Sequence, residues 1–154
     1  RQDVNSDWLA ATSYERLHDL ISAINVLSIH AKLVLSGRGE PIADEEAQEV
    51  DASKRRLLDF LGRFDTLLRE VSKRGAGTVV GVDPQLGALA IHYLAHQSST
   101  RERSSLYRLP LSDLERLLQS DKGQELERLV EYLRELRRFL EQHLTDDLVR
   151  YAER

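Results

Sequence analysis

Residues 17–35, LHDLISAINVLSIHAKLVL, form the longest apolar-rich run in the chain. Tyr14, Leu17, Ile21, Ile24, Leu27, Ala31 and Val34 recur at steps of three and four, which marks one face of an α-helix. Leu20, Val26, Ile29, Leu33 and Leu35 widen that face well past a single stripe. A helix this apolar is either central in its fold or covered on a second side by a partner chain. No Gly or Pro interrupts the stretch from Trp8 to Ser36. The pattern therefore predicts a helix from Ser13 to Leu35, about 35 Å long, with Ser6 or Ser13 as its cap. A helix of that length suits a bundle or a helical hairpin.

Working outward, Arg1 to Asp7 is polar and is expected to fray. On the other side, Ser36-Gly37-Arg38-Gly39-Glu40-Pro41 is a stop signal, since glycine accepts the left-handed cap and proline cannot continue a helix. A second helix is predicted from Asp44, with Glu45 and Glu46 in the first turn where the helix dipole favours anions. Its stripe is Ala47, Val50, Leu57, Leu61, Phe64, Leu68 and Val71, and it closes at Lys73-Arg74 before Gly75-Ala76-Gly77. The short connection makes the two helices antiparallel neighbours.

Beyond them, Thr78-Val79-Val80-Gly81-Val82 reads equally as a lone strand or an extended linker. Asp83-Pro84 opens a third helix reaching about Gln97. Ser98 to Pro110 is an Arg- and Ser-rich loop, and its segment 101–108, with three arginines and a tyrosine, could grip a phosphate or an acidic partner if it is not simply solvated. Ser112 with Glu115 forms a capping box for a short helix through Leu118. Leu126, Leu129, Leu133, Leu136, Leu140 and His143 give a last long helix one narrow seam. Thr145 is expected to cap a final short helix. The fold class is thus all-α, organised as a helical hairpin over residues 1–74 with a smaller helical part over residues 75–154 packed on it.

Bulk properties narrow the function. The net charge is −4, with acids and bases interleaved, which argues against a general electrostatic grip on nucleic acid. The chain has no cysteine, so disulfides, thiolate catalysis and Cys-type zinc sites are excluded, and a reducing, cytoplasmic setting is expected. No run is expected to reach the length of a membrane span, and no signal peptide is visible. Because it begins at Arg and contains no Met, the chain is expected to be the ordered part of a longer protein.

Three constellations carry possible chemistry. In His18-Asp19, a carboxylate beside an imidazole can hold its tautomer and stabilise its charged form; the plain alternative is a half-exposed histidine beside the core stripe. His92 and His96 stand at i and i+4 and share a helix face, but a transition-metal site would need a third ligand from His30, His143 or a carboxylate. Two unliganded edge histidines are the simpler reading, and neither a metal nor another cofactor is expected. Arg138 and His143 have the spacing of the ribonuclease motif of the all-helical HEPN family, yet Phe139 stands where a polar residue belongs, and five positions turn the two side chains about 140° apart.

The stretch LHDLISAINVLSIHAKLVL resembles the first helix of the dimerisation and histidine-phosphotransfer domain of sensor histidine kinases. In that family a phosphorylatable histidine precedes an acidic residue on a helix rich in small and apolar residues. The resemblance implies that His18 is the phosphoacceptor, Asp19 the acidic base and Ser22 the position that assists dephosphorylation. Residues 51–68, DASKRRLLDFLGRFDTLL, are similar to the second helix of that domain. The implied assembly is a homodimer whose two hairpins form a four-helix bundle, with a response-regulator-like protein as partner. Ala23 replaces the usual proline. The segment VVGVDPQLGALAIHYLAHQ is faintly similar to the start of the kinase ATP-binding domain, but His92 and His96 replace its asparagines. Magnesium prefers oxygen ligands, and no glycine-rich lid follows, so no autokinase activity is expected. The alternatives are a structural or regulatory interaction bundle without chemistry and a HEPN-type ribonuclease.

Overall fold

A computed structural model describes residues 2–37, 43–74, 88–95 and 111–152, with the backbone alone described at 2–16, 72, 111–112 and 145–152. Five helices account for them: α1 (Gln2–Leu35), α2 (Asp44–Arg74), α3 (88–95), α4 (Leu111–Gln119) and α5 (Gly123–Ala152). No strand occurs among the described residues, so the protein is all-α. The β-branched run at 78–82, Asp83-Pro84, His96 and the arginine-rich segment 98–110 lie outside the described residues.

Helix α1 runs for 34 residues, about 51 Å, and begins earlier than its periodicity predicts. The helix is continuous from Gln2 through both Ser6 and Ser13, so neither serine caps its start. Once nucleated, a helix propagates through polar residues until something stops it, and nothing in this stretch does. The C-terminal stop is where the sequence places it. Gly37 has φ 71°, the left-handed geometry glycine adopts without steric cost. Its N–H donates to the Val34 carbonyl at 3.2 Å and the Ser36 N–H to the Lys32 carbonyl at 3.0 Å. The Ser36 hydroxyl donates to the Leu33 carbonyl at 2.9 Å, so the last turn leaves few orphan acceptors.

Helix α2 starts at Asp44, with the Ala43 carbonyl accepting the Ala47 N–H at 3.0 Å. Val50, Leu57, Leu61, Phe64 and Val71 of its stripe are buried, while Ala47 and Leu68 are half-buried. Its outer side carries i,i+4 ion pairs from Arg63 to Asp59, Arg69 to Asp65 and Arg74 to Glu70, all largely exposed. Pairs of this kind contribute a few tenths of a kcal/mol each, about 0.3–0.5, and support the helix rather than the fold.

Helix α5 carries the predicted seam, and every residue of it is buried, joined by Tyr132, Phe139 and Leu144. It is 30 residues long and passes straight through Thr145, so the separate final helix is not formed. The run from Leu144 to Ala152 contains no Gly or Pro to break the ladder. Helix α4 begins at Leu111, one residue before Ser112, and the side chain of the predicted capping box lies outside the described residues. Instead, the link to α5 is held by Ser120, whose hydroxyl oxygen accepts the Lys122 N–H at 3.2 Å. The same hydroxyl donates to Glu125 and, aided by Arg116, Lys122 and Arg128, holds that carboxyl below its ordinary range against a smaller effect of burial.

Helix α1 packs against α5 and α2, more extensively against α5. One core cluster draws on all five helices, with Ile24, Leu57, Leu89, Leu114, Leu117, Leu133 and Leu140 sealed inside it. The second cover that so apolar a helix requires is therefore supplied by α5 of the same chain. One expectation is corrected on length. Leu17–Leu35, at 19 residues, is long and apolar enough to cross a membrane by length and composition. Within this fold its inner face, Leu17, Leu20, Ile24, Leu27 and Ala31, is core packing.

Candidate functional site

The exposed residues of α1 from position 17 onward are His18, Asp19, Ser22, Ile29, Lys32 and Leu33. At 100° per residue they gather on the side opposite Ile24 and Leu27. His18, Asp19 and Ser22 thus occupy the N-terminal part of one outer face, clear of the core. The Ser22 hydroxyl donates to the His18 carbonyl at 3.1 Å, a bond four residues back along the helix that fixes its rotamer beside the histidine. Two turns further, the same face presents Ile29 and Leu33, which are 62% and 46% exposed. Ala23, at the position where the resemblance leads one to expect proline, is buried against the core.

The other histidines are placed differently. His92 on α3 stacks on Phe139 of α5, with ring centroids 5.2 Å apart and an interplanar angle of 29°. It also meets His143 at 5.5 Å, tilted by 50°. This inner cluster extends through Tyr93, which packs edge-on to Phe64 at 5.2 Å and to Phe139 at 5.7 Å. Phe60 stacks on Phe64 at 5.6 Å and completes the aromatic seam joining α2, α3 and α5. Burial, with a smaller effect of the Asp65 charge, pushes the Tyr93 phenol up to about 12. Burial, with a smaller effect of Tyr93, raises the Tyr132 phenol as well.

Sequence spacing named both His92 and His143 but could not see that they meet. They are 51 positions apart by numbering, and no local pattern encodes such contacts. No group of three or more metal-ligating side chains occurs among the described residues, and His30, a possible third ligand, lies elsewhere, on a cavity wall with Lys54. Arg138 and His143 do not converge within the chain, since Arg138 is exposed while His143 is only 4% exposed and sits among core residues. Phe139, the residue that breaks the ribonuclease pattern, is itself core. A further pairing escaped the sequence: Arg137 on α5 donates to the Asn25 side-chain oxygen on α1 at 2.9 Å and also approaches Glu141 at 3.7 Å.

No protein-family model, curated protein or solved structure matches this chain. The residues themselves therefore carry the functional argument.

Proposed function

We propose that this chain is a signalling-type interaction module that accepts a phosphoryl group on His18 and has no ATP-dependent kinase activity of its own. The observation that carries this reading is the shared exposure of His18, Asp19 and Ser22 on the outer face of α1. A phosphoacceptor has to reach a donor in another protein, so its imidazole must stand outside the core. In the transfer, a ring nitrogen attacks phosphorus. An N–P bond forms as the P–O bond to a donor aspartyl phosphate breaks, and the aspartate leaves as a carboxylate. The ring proton passes to Asp19 or to water. Ser22 stands one turn on, where its hydroxyl can orient a water that attacks phosphorus, breaking the N–P bond and releasing inorganic phosphate.

The test is incubation with phosphoramidate, followed by 31P NMR and mapping of acid-labile phosphate. Modification of His18 that disappears in His18→Asn is the expected result. An unmodified His18, or phosphate distributed over the other histidines, removes the phosphotransfer reading.

A second reading, a non-enzymatic interaction bundle, is favoured by Ile29 and Leu33, whose exposure on the same face suits contact with another protein. That protein is a receiver-type partner in the first reading. A second copy of this chain, as in the implied homodimer, would use the same face. Sedimentation equilibrium with Ile29→Ser and Leu33→Ser measures the self-association directly.

A further inference from the structure

A cavity of 230 Å³ lies where α1, α2 and the α4–α5 junction meet. Counted along α1, His30 on its wall is 12 positions past His18, about 18 Å by helix rise, so this is a separate place on the molecule. Leu27, Ala31 and Val34 of α1 form one apolar wall, and Leu118, Leu126 and Leu129 face them from α4 and α5. Its polar groups gather on the remaining side. Lys54 comes from α2, His30 from α1, Gln119 from the end of α4, and Ser120 and Asp121 from the junction. Lys54 and His30 are half-buried, and Asp121 is exposed. Lys54 is a half-buried member of the lining, a placement that lets a long cationic side chain lay its stem on apolar surface and keep its ammonium hydrated. Among the described residues Lys54 forms no ion pair, and its neighbours Arg55 and Arg56 form none either, but those two are exposed whereas Lys54 lines the cavity.

An apolar pocket with a small number of convergent polar groups is the usual form of a small-molecule site, and this volume sits below the range of drug-sized ligands, about 300–1,000 Å³. We infer that the cavity binds a small carboxylate on an apolar body, the carboxylate held by Lys54 with His30 beside it and the apolar part against Leu27, Ala31 and the facing leucines. Two sources share that chemistry. A plain short-chain or aromatic acid uses Lys54 and His30 alone. An apolar α-amino acid would also set its ammonium against Asp121, which supplies the opposite charge at the opening.

The experiment is a titration of the full chain followed by two-dimensional 1H–15N NMR, with 3-phenylpropanoate, L-phenylalanine and phenethylamine as probes. The expected result is saturable displacement of the Ala31, Ser120 and Asp121 amide signals by 3-phenylpropanoate. Lys54→Met, which keeps the apolar stem, weakens that binding about tenfold or more, the scale of one charge-assisted hydrogen bond. Val34→Trp, at a half-buried position, fills the space and abolishes it, with the thermal melt confirming a folded chain. L-Phenylalanine binding more tightly than 3-phenylpropanoate assigns the amino-acid source, and the reverse assigns the plain acid. Absence of saturable displacement overturns the proposal. Phenethylamine binding as tightly as 3-phenylpropanoate, or undiminished binding in Lys54→Met, does so equally. None of these readouts depends on His18, so the phosphoacceptor reading stands or falls apart from this one.

Discussion

Helices α1 and α5 lie along one another, yet their sequences divide their surfaces in different ways. On α5 the division is clean. Leu126, Leu129, Leu133, Leu136 and Leu140 are buried, and Glu127, Arg128, Glu131, Arg134, Arg137 and Arg138 face outward. On α1 apolar residues occur all the way round. Ile24 and Leu27 are sealed, but Ile29 and Leu33 are exposed. Every apolar residue of the α5 seam is accounted for by folding. The outer face of α1 is not, and it is the face that also holds His18, Asp19 and Ser22. A stretch whose hydrophobicity exceeds what its own fold uses is where a function outside the fold is to be sought.

Substitutions on the two helices test that contrast most strongly. Leu133→Ala on α5 removes a fully buried side chain and is expected to cost about 2–5 kcal/mol by urea unfolding. Ile29→Ala on α1 is expected to stay within about 0.5 kcal/mol. A comparably large loss at Ile29 would mean that the outer face of α1 is part of the folding core, and the functional argument for that face would fail.

The aromatic seam gives a smaller effect with a defined sign. The Tyr93 phenol is raised from 10.0 to about 12 in the folded chain, so the native state holds its proton more tightly than the unfolded one. Its contribution to stability is full below pH 10, where both states are protonated, and declines as pH rises from 10 towards 12. Tyr93→Phe should lessen that alkaline decline in a pH series of thermal melts, the buried Tyr132 phenol supplying the remainder. An identical decline in the variant would place its origin elsewhere.

The smallest effect belongs to the polar tie between the two helices. Arg137 and Asn25 are partly or largely solvent-facing, and the bond joins one neutral acceptor to a cation. A double-mutant cycle with Asn25→Ala and Arg137→Ala should return a coupling of about 1 kcal/mol or less. A coupling several times larger would make this tie, and not the leucine seam, the feature that sets α1 against α5.

Much of this is legible in the amino-acid sequence. Periodicity located the inner faces of α1, α2 and α5, because burial on a helix repeats at the helix's own period. Ser36-Gly37 announced the end of α1, because a positive φ is cheap for glycine and costly for its neighbours. The errors came at ends without such marks. Ser6 and Ser13 can cap a helix, and Thr145 can start one, but each can also sit inside a helix that neighbouring turns already sustain.

The all-helical class, the course of the principal inner stripes and the need of α1 for cover on more than one side can all be read from local sequence. Packing across the fold is what makes α5 that cover and brings His92 against His143 and Phe139 in the interior. It also gathers Lys54, His30 and Asp121 at one cavity and leaves His18 outside the core. The difference is one of range. Helix formation, capping and stripe placement are settled by residues within one or two turns of each other. Which stripes meet is settled by the shape and volume of side chains far apart in the chain, and a single sequence carries no periodic signal for that.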